Sequence, residues 1–288
     1  MSEPSGEHAS TTPCVVCGAA ARDAELTLDS WTILRCERCG LRTLWPPPET
    51  VRMEEFDDGS GYEGAFALRD ELLARHDRSL AAMERHVPPG RLLDVGCGPG
   101  FLLEAARERG WKPVGVDPSP YGVARAREAG FEAHEGMVEE IELESESFDA
   151  LALLQVIEHV PDPRPLLATC RGLLRDGGVL LVATPNPASL LARIKRERFN
   201  YWIPPMHCAW YPPATLARAI RAAGFGVLER TTWSARTAAL HDGIDVLTAT
   251  RAGRALPVRV RRALGDAVAG VADGLGYGSI VELIARKG

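Results

Sequence analysis

The chain has no run of about eighteen consecutive apolar residues, which predicts no transmembrane helix. Its opening residues, MSEPSGEHASTTP, lack the apolar centre of a secretory leader. Residues 1–12 therefore read as a disordered head, and the protein as cytoplasmic. Its 7 cysteines are an odd set, which argues against a disulfide framework and for a reducing compartment. There is no internal repeat. There is also no uniform basic character: the formal net charge is −6. Residues 1–192 hold 18 Arg/Lys against 32 Asp/Glu, whereas residues 193–288 hold 15 against 7. A basic final third suits an anionic substrate or peripheral contact with an anionic membrane face, or else is a set of solvated arginine-rich helices. At 288 residues, 45% hydrophobic and 25% charged, the chain suits one large domain, or one domain and a small module.

Four of the cysteines are paired. Cys14-Val-Val-Cys17 and Cys36-Glu-Arg-Cys39 stand eighteen residues apart, the spacing of a four-cysteine zinc site. Each CxxC turn aims two thiolates at one point, and a hairpin around LTLDSWTILR can bring the turns together. Gly18 and Gly40, each just after a second cysteine, suit a positive φ. Four thiolates fill the tetrahedron, so such a site is structural and closed to substrate.

Residues 13–47 thus form a zinc-binding module, and the prolines of WPPPET begin a linker. Residues 48–90 carry that linker and a helix from Phe66 to His86. Beyond them strands and helices alternate: strands at 91–95, 112–117, 131–134, 149–155, 179–184 and 226–233, and helices at 101–110, 120–130, 164–178 and 212–225. Such alternation predicts a parallel sheet covered by helices on both faces. Segments 185–211 and 235–276 interrupt it, and SIVELIARK supplies a last strand within a domain spanning 91–288.

DVGCGPG, residues 94–100, follows the first of these strands and opens a helix. A glycine turn there lets a ligand approach the backbone without meeting a Cβ. The spacing Gly96-x-Gly98-x-Gly100 departs from the G-x-G-x-x-G of dinucleotide folds. Asp117 ends the next strand, 21 residues after Gly96, where a carboxylate can take two ribose hydroxyls.

Taken in order, LLDVGCGPG, VGVDPSP, SFDALALLQVIEHVPDP, LLRDGGVLLVATPN and TLARAIRAAGF resemble the successive motifs of class I S-adenosylmethionine-dependent methyltransferases. The resemblance runs from about residue 66 to 288, and the cysteine module resembles that of some sugar C-methyltransferases. It implies an α/β fold: a doubly wound, Rossmann-like sheet of seven strands whose last strand is antiparallel, with a small N-terminal zinc ribbon. It implies that Asp94, Gly96, Cys97, Gly98 and Gly100 line the methionine part of S-adenosylmethionine. Asp117 would hold the ribose, with Pro118 and Ser119 beside the adenine. Met137 and Val138 stand where the family often has an acidic residue, and Tyr62 is placed to reach the cofactor from the N-terminal side.

Methyl transfer to a hydroxyl or carbon acid needs a group that takes a proton near neutral pH. Glu158 and His159 follow the fourth strand, and His207 lies in the loop NYWIPPMHCAWYPP. Either histidine can serve as the base, or Glu158-His159 can merely cap the strand. Ubiquinone-pathway O-methyltransferases carry a glutamate three residues before the Glu-His pair, and that trio can hold a divalent cation. Here Gln155 stands in that position, and a neutral amide is a poorer ligand for a hard cation. Tyr201, Trp202, Trp210 and Tyr211 could cover the pocket or simply pack their own segment. The basic stretches 192–198 and 251–262 could hold a nucleotide sugar or lipid-linked glycan.

The reading is an enzyme that methylates a small-molecule, sugar, glycan or lipid-linked acceptor on oxygen or carbon, in secondary metabolism or polysaccharide synthesis. The alternatives are a zinc-module RNA methyltransferase and a non-catalytic S-adenosylmethionine-binding protein. Nucleic acid fits poorly, because residues 14–45 balance four arginines with four carboxylates. The sequence specifies no oligomeric state.

Overall fold

The computed structural model of the protein describes residues 12–48, 54–235 and 257–288. The expected head and residues 236–256 of the second inserted segment, with the first part of the basic stretch 251–262, lie outside them. Among the described residues no helix is long and apolar enough to cross a membrane.

The larger sheet has seven strands: β4 (Arg91–Val95), β5 (Lys112–Asp117), β6 (Glu132–Glu135), β7 (Phe148–Leu154), β8 (Leu174–Pro185), β10 (Phe225–Trp233) and β11 (Ile280–Lys287). Their order is β10-β11-β8-β7-β4-β5-β6, and β11 runs antiparallel to both neighbours. Helices cover both faces, so the middle strands carry continuous apolar runs: Ala150 to Leu153 and Val179 to Val182 are fully buried. After two short helices, α1 (Glu54–Asp57) and α2 (Glu63–Ala67), the principal helices are α3 (Arg69–Glu84), α4 (Phe101–Glu108), α5 (Pro120–Glu128), α6 (Pro163–Leu173) and α8 (Pro213–Ala222). A further helix, α9, spans Val258–Gly274.

The chain enters the sheet centrally at β4, builds outward through β5 and β6, then returns to β7 on the other side. That reversal leaves a crevice at the carboxyl ends of β4, β5 and β7, where open α/β sheets bind ligands.

One expected boundary differs. The helix predicted over 164–178 stops at Leu173, because Leu174 is already extended and pairs with Phe148. Gly177 then adopts φ 75°, which a helix cannot hold.

The N-terminal sheet comprises β1 (Arg22–Leu28), β2 (Trp31–Cys36) and β3 (Arg42–Trp45), joined by antiparallel pairing. Its fourth strand comes from far along the chain: β9 (Ala209–Trp210) pairs with β3. The first inserted segment, which also carries α7 (Leu190–Lys195), thus ends inside the N-terminal sheet. The two sheets share one apolar cluster, in which Ile33, Leu41 and Leu44 join Leu166, Trp210, Leu216 and Ile220.

Candidate active site

The crevice holds a cavity of about 530 Å³. Its floor is the turn after β4. Gly96 (φ 80°) and Gly98 (φ 47°) both line it in conformations that L side chains rarely adopt. A Cβ on Gly98 would come within 2.9 Å of the Tyr62 ring, and one on Gly96 within 2.5 Å of Val156 Cγ2. Bare backbone is therefore required here.

Asp117, at the end of β5, is buried. One carboxylate oxygen accepts a hydrogen bond from the Gly98 amide (2.7 Å), the other from the Ser119 amide (2.8 Å). These bonds lower its pKa, but burial pushes it up and dominates. A carboxylate offers about four lone-pair sites, so two N–H donors leave it capacity for two hydroxyls. Pro118, Ser119, Met137 and Val138 line the wall beyond it, as does Glu139, the first residue of the acidic run 139–147, whose sequence alone suggests only a solvated loop. Phe56, Asp57 and Tyr62 close the N-terminal side, Tyr62 stacking on Tyr121.

Three predicted residues, Asp94, Cys97 and Gly100, belong to this turn or its strand but do not line the cavity. Asp94 is buried, and burial followed by the Asp117 charge pushes its pKa to about 8. Cys97 sits in an apolar cluster with Leu103, Val123 and Phe131, and Gly100 precedes α4.

The opposite wall is built from two segments. After β7 the chain turns at Gln155, which lines the cavity with φ 58°, and forms a single 3-10 turn over Ile157–His159. His159 lines the cavity, whereas Glu158 is fully buried. Glu158 Oε2 accepts from the Thr184 hydroxyl (2.8 Å), and Oε1 has no partner among the described residues. Burial pushes its pKa to about 8.

His207 meets His159 edge to face, with ring centroids 4.8 Å apart. A carbonyl oxygen only accepts, so the contacts of His159 Nδ1 with Met206 O (2.8 Å) and His207 Nδ1 with Tyr201 O (2.9 Å) place the proton on each Nδ1. Both Nε2 atoms then carry lone pairs. Burial lowers the pKa of both rings. That of His207, also opposed by His159, falls to about 3. Both are neutral at pH 7, and His207 is the weaker base. One donor atom each from Glu158, His159 and His207 lies within 4.8 Å of the others.

Of the two readings of the aromatic residues in this second segment, packing is the one that fits, for none of them lines the cavity. Trp210 and Tyr211 are fully buried in the shared core, and Trp202 packs on Phe199 and Trp210. Met206 and His207 are what this loop contributes to the lining.

The four paired cysteines form a second cluster. Their sulfurs lie within 4.8 Å of one another, with Cys14–Cys39 and Cys17–Cys36 both at 3.6 Å. Zn–S bonds of about 2.3 Å in a tetrahedron put sulfurs about 3.8 Å apart, so the set fits that ion. Gly18 and Gly40 adopt φ 70° and 75°, as their places after the CxxC turns require.

A profile of the family described as "Methyltransferase domain" matches residues 67–230, more than half of the chain. The chain belongs to this methyltransferase family. Its fold is that of the class I S-adenosylmethionine-dependent enzymes. A ubiquinone biosynthesis O-methyltransferase of Caulobacter vibrioides is 36% identical over 156 residues, 50% of this chain and 60% of that protein. Its counterpart in Cereibacter sphaeroides is 32% identical over 175 residues, 57% and 70% of the two chains. Two solved structures share the fold. One is a SAM-dependent methyltransferase of Archaeoglobus fulgidus (TM-score 0.56, 23% identity, 76% of this chain and 94% of that one). The other is a possible histamine N-methyltransferase of Thermotoga maritima (TM-score 0.56, 22%, 81% and 98%). The family match leaves out the four paired cysteines.

Proposed function

We propose that this chain transfers a methyl group from S-adenosylmethionine to a hydroxyl of a small-molecule acceptor. The observation that carries the reading is a single cavity with Asp117 and the bare Gly96–Gly98 turn at one end and two neutral imidazoles at the other. S-adenosylmethionine, when bound, supplies a methyl carbon made electrophilic by its sulfonium. The backbone at Gly96 and Gly98 cradles the methionine part, on a turn shaped by Asp94, Cys97 and Gly100. Asp117 takes the ribose hydroxyls, and Pro118, Ser119, Met137 and Val138 flank the adenine. At the far end His159 Nε2 receives the acceptor proton, since its Nδ1–H is already committed to Met206 O. His207, its Nδ1–H held by Tyr201 O and its ring edge-on to His159, orients the acceptor. Glu158 holds the turn through Thr184, and Gln155 bends the chain toward the cavity.

The names of the ubiquinone-pathway relatives support O-methylation of a small molecule. The RNA alternative loses ground in the N-terminal module: Arg42 is paired with Glu25, and Arg22 is bonded to Thr43 and Pro13 O, so two of its four arginines are engaged internally. For the cysteines we propose one structural zinc ion, held by Cys14, Cys17, Cys36 and Cys39.

The test is release of S-adenosylhomocysteine on incubation with a panel of phenols, catechols and nucleotide sugars. The expected product is an O-methyl phenol or catechol. Turnover confined to nucleotide sugars, or a methyl group found on carbon, would overturn the reading.

A further inference from the structure

The cysteine cluster and the histidine pair lie at two ends of one hydrogen-bonded path. Cys36 ends β2 and Cys39 lies three residues before β3, so the cluster grips both ends of the turn between them. β3 pairs with β9 in the register Arg42 to Trp210 and Thr43 to Ala209. The Leu44 amide donates to Cys208 O (2.9 Å), and the Cys208 amide donates in turn to Glu158 O (2.8 Å). Cys208 is the residue after His207. From the other side the Thr215 hydroxyl donates to Cys39 O, tying α8 to the second cysteine turn. Tyr201 O accepts from both His207 Nδ1 and Trp210 Nε1, which couples the ring to the strand that follows it.

We propose that the metal-held N-terminal sheet is the positioning device for His207: the cysteine cluster fixes β3, β3 templates β9, and β9 sets the acceptor end of the cavity. This rests on the reading of the four cysteines as zinc ligands. Two physical arguments support it. A two-residue strand cannot sustain itself and exists only where a neighbouring edge is already formed. The module that offers that edge spans fewer than the roughly 40 residues below which a fold needs a metal, disulfides or a larger partner to persist. The cofactor end of the cavity, built by β4 and β5, shares none of these bonds.

The experiment uses the full-length protein, labelled with ¹⁵N in its histidine rings, with His207→Gln to assign the His207 signals. Metal content is measured on fresh protein, after chelation and after zinc is returned. Binding of S-adenosylhomocysteine is followed by calorimetry. The expected result is about one zinc ion per chain. Its removal moves the His207 and His159 ring signals, leaves those of His86 and His134 in place, and changes S-adenosylhomocysteine affinity by no more than about threefold, as for weakly coupled sites. Returning zinc restores the signals. Thr215→Val, which keeps all four cysteines, shifts His207 in the same direction by less while zinc stays bound.

Three outcomes would overturn the proposal. Unmoved His207 signals after zinc loss refute the coupling and leave the zinc reading intact. Fresh protein without zinc refutes both. Loss of S-adenosylhomocysteine binding together with collapse of all the ring signals shows that the metal supports the whole fold and not this loop.

Discussion

The two ends of the cavity are made differently. The cofactor end is local: a turn of five residues after β4 and one carboxylate at the end of β5, neighbouring strands in register. The acceptor end is assembled from Gln155 to Val160 and a loop near residue 207, braced by a sheet whose other strands lie between residues 22 and 45. A short motif can specify the first. Only the complete fold specifies the second, so the cofactor end can stay constant while the acceptor end is rebuilt.

The sharpest test of this contrast is a substitution that silences one end and spares the other. His159→Gln is expected to lower the single-turnover rate about 10²- to 10⁴-fold, the usual worth of a general base, with S-adenosylhomocysteine affinity unchanged by calorimetry. A rate within a factor of a few of the parent would move the proton to another group. Asp117→Ala is the converse. Losing charge-assisted bonds to two hydroxyls should weaken cofactor binding by about 100-fold or more, while the ring signals of His159 and His207 hold. Unchanged affinity would remove the ribose assignment.

The smallest effect concerns Glu158. Its folded pKa of about 8 lies above its ordinary value of 4.5. The folded state therefore holds an extra proton between those limits, and stability is lost as pH rises through them. Glu158→Gln should remove this component. Its stability relative to the parent in urea titrations should rise by at least about 1 kcal/mol between pH 5 and pH 8.5. A flat difference would mean that Glu158 is ionised in the folded protein and has found a cation.

Much of the sheet could be read in advance, because strands buried on both faces are continuous apolar runs and glycines punctuate their ends. The Gly96 and Asp117 positions were equally legible, being a turn and a strand end. The junction at Leu173 was not: an amphipathic pattern runs on past the point where cross-strand pairing with β7 takes over. Nor was β9 legible, since two residues carry no periodicity and its partner lies more than 160 positions away. The aromatic residues around it could have covered the pocket or packed their own segment, and Trp210 and Tyr211 pack into the shared core. The choice between the histidines was also hidden, because it depends on the carbonyl oxygens that each ring meets in the folded chain and on the charge that His207 would feel from His159.

Gln155 carries a consequence that its amide alone does not suggest. Its left-handed backbone ends β7 abruptly, and the chain continues as a 3-10 turn, with three residues per revolution. Successive side chains then diverge by about 120°. Glu158 and His159, adjacent in sequence, are sent in different directions, one into the protein and one to the cavity wall. A pair adjacent in sequence is thereby divided into a buried anchor and a side chain on the cavity wall. The divider is a bend three residues before Glu158, so the angle of that bend, more than the identity of either partner, decides which side chain faces the cavity.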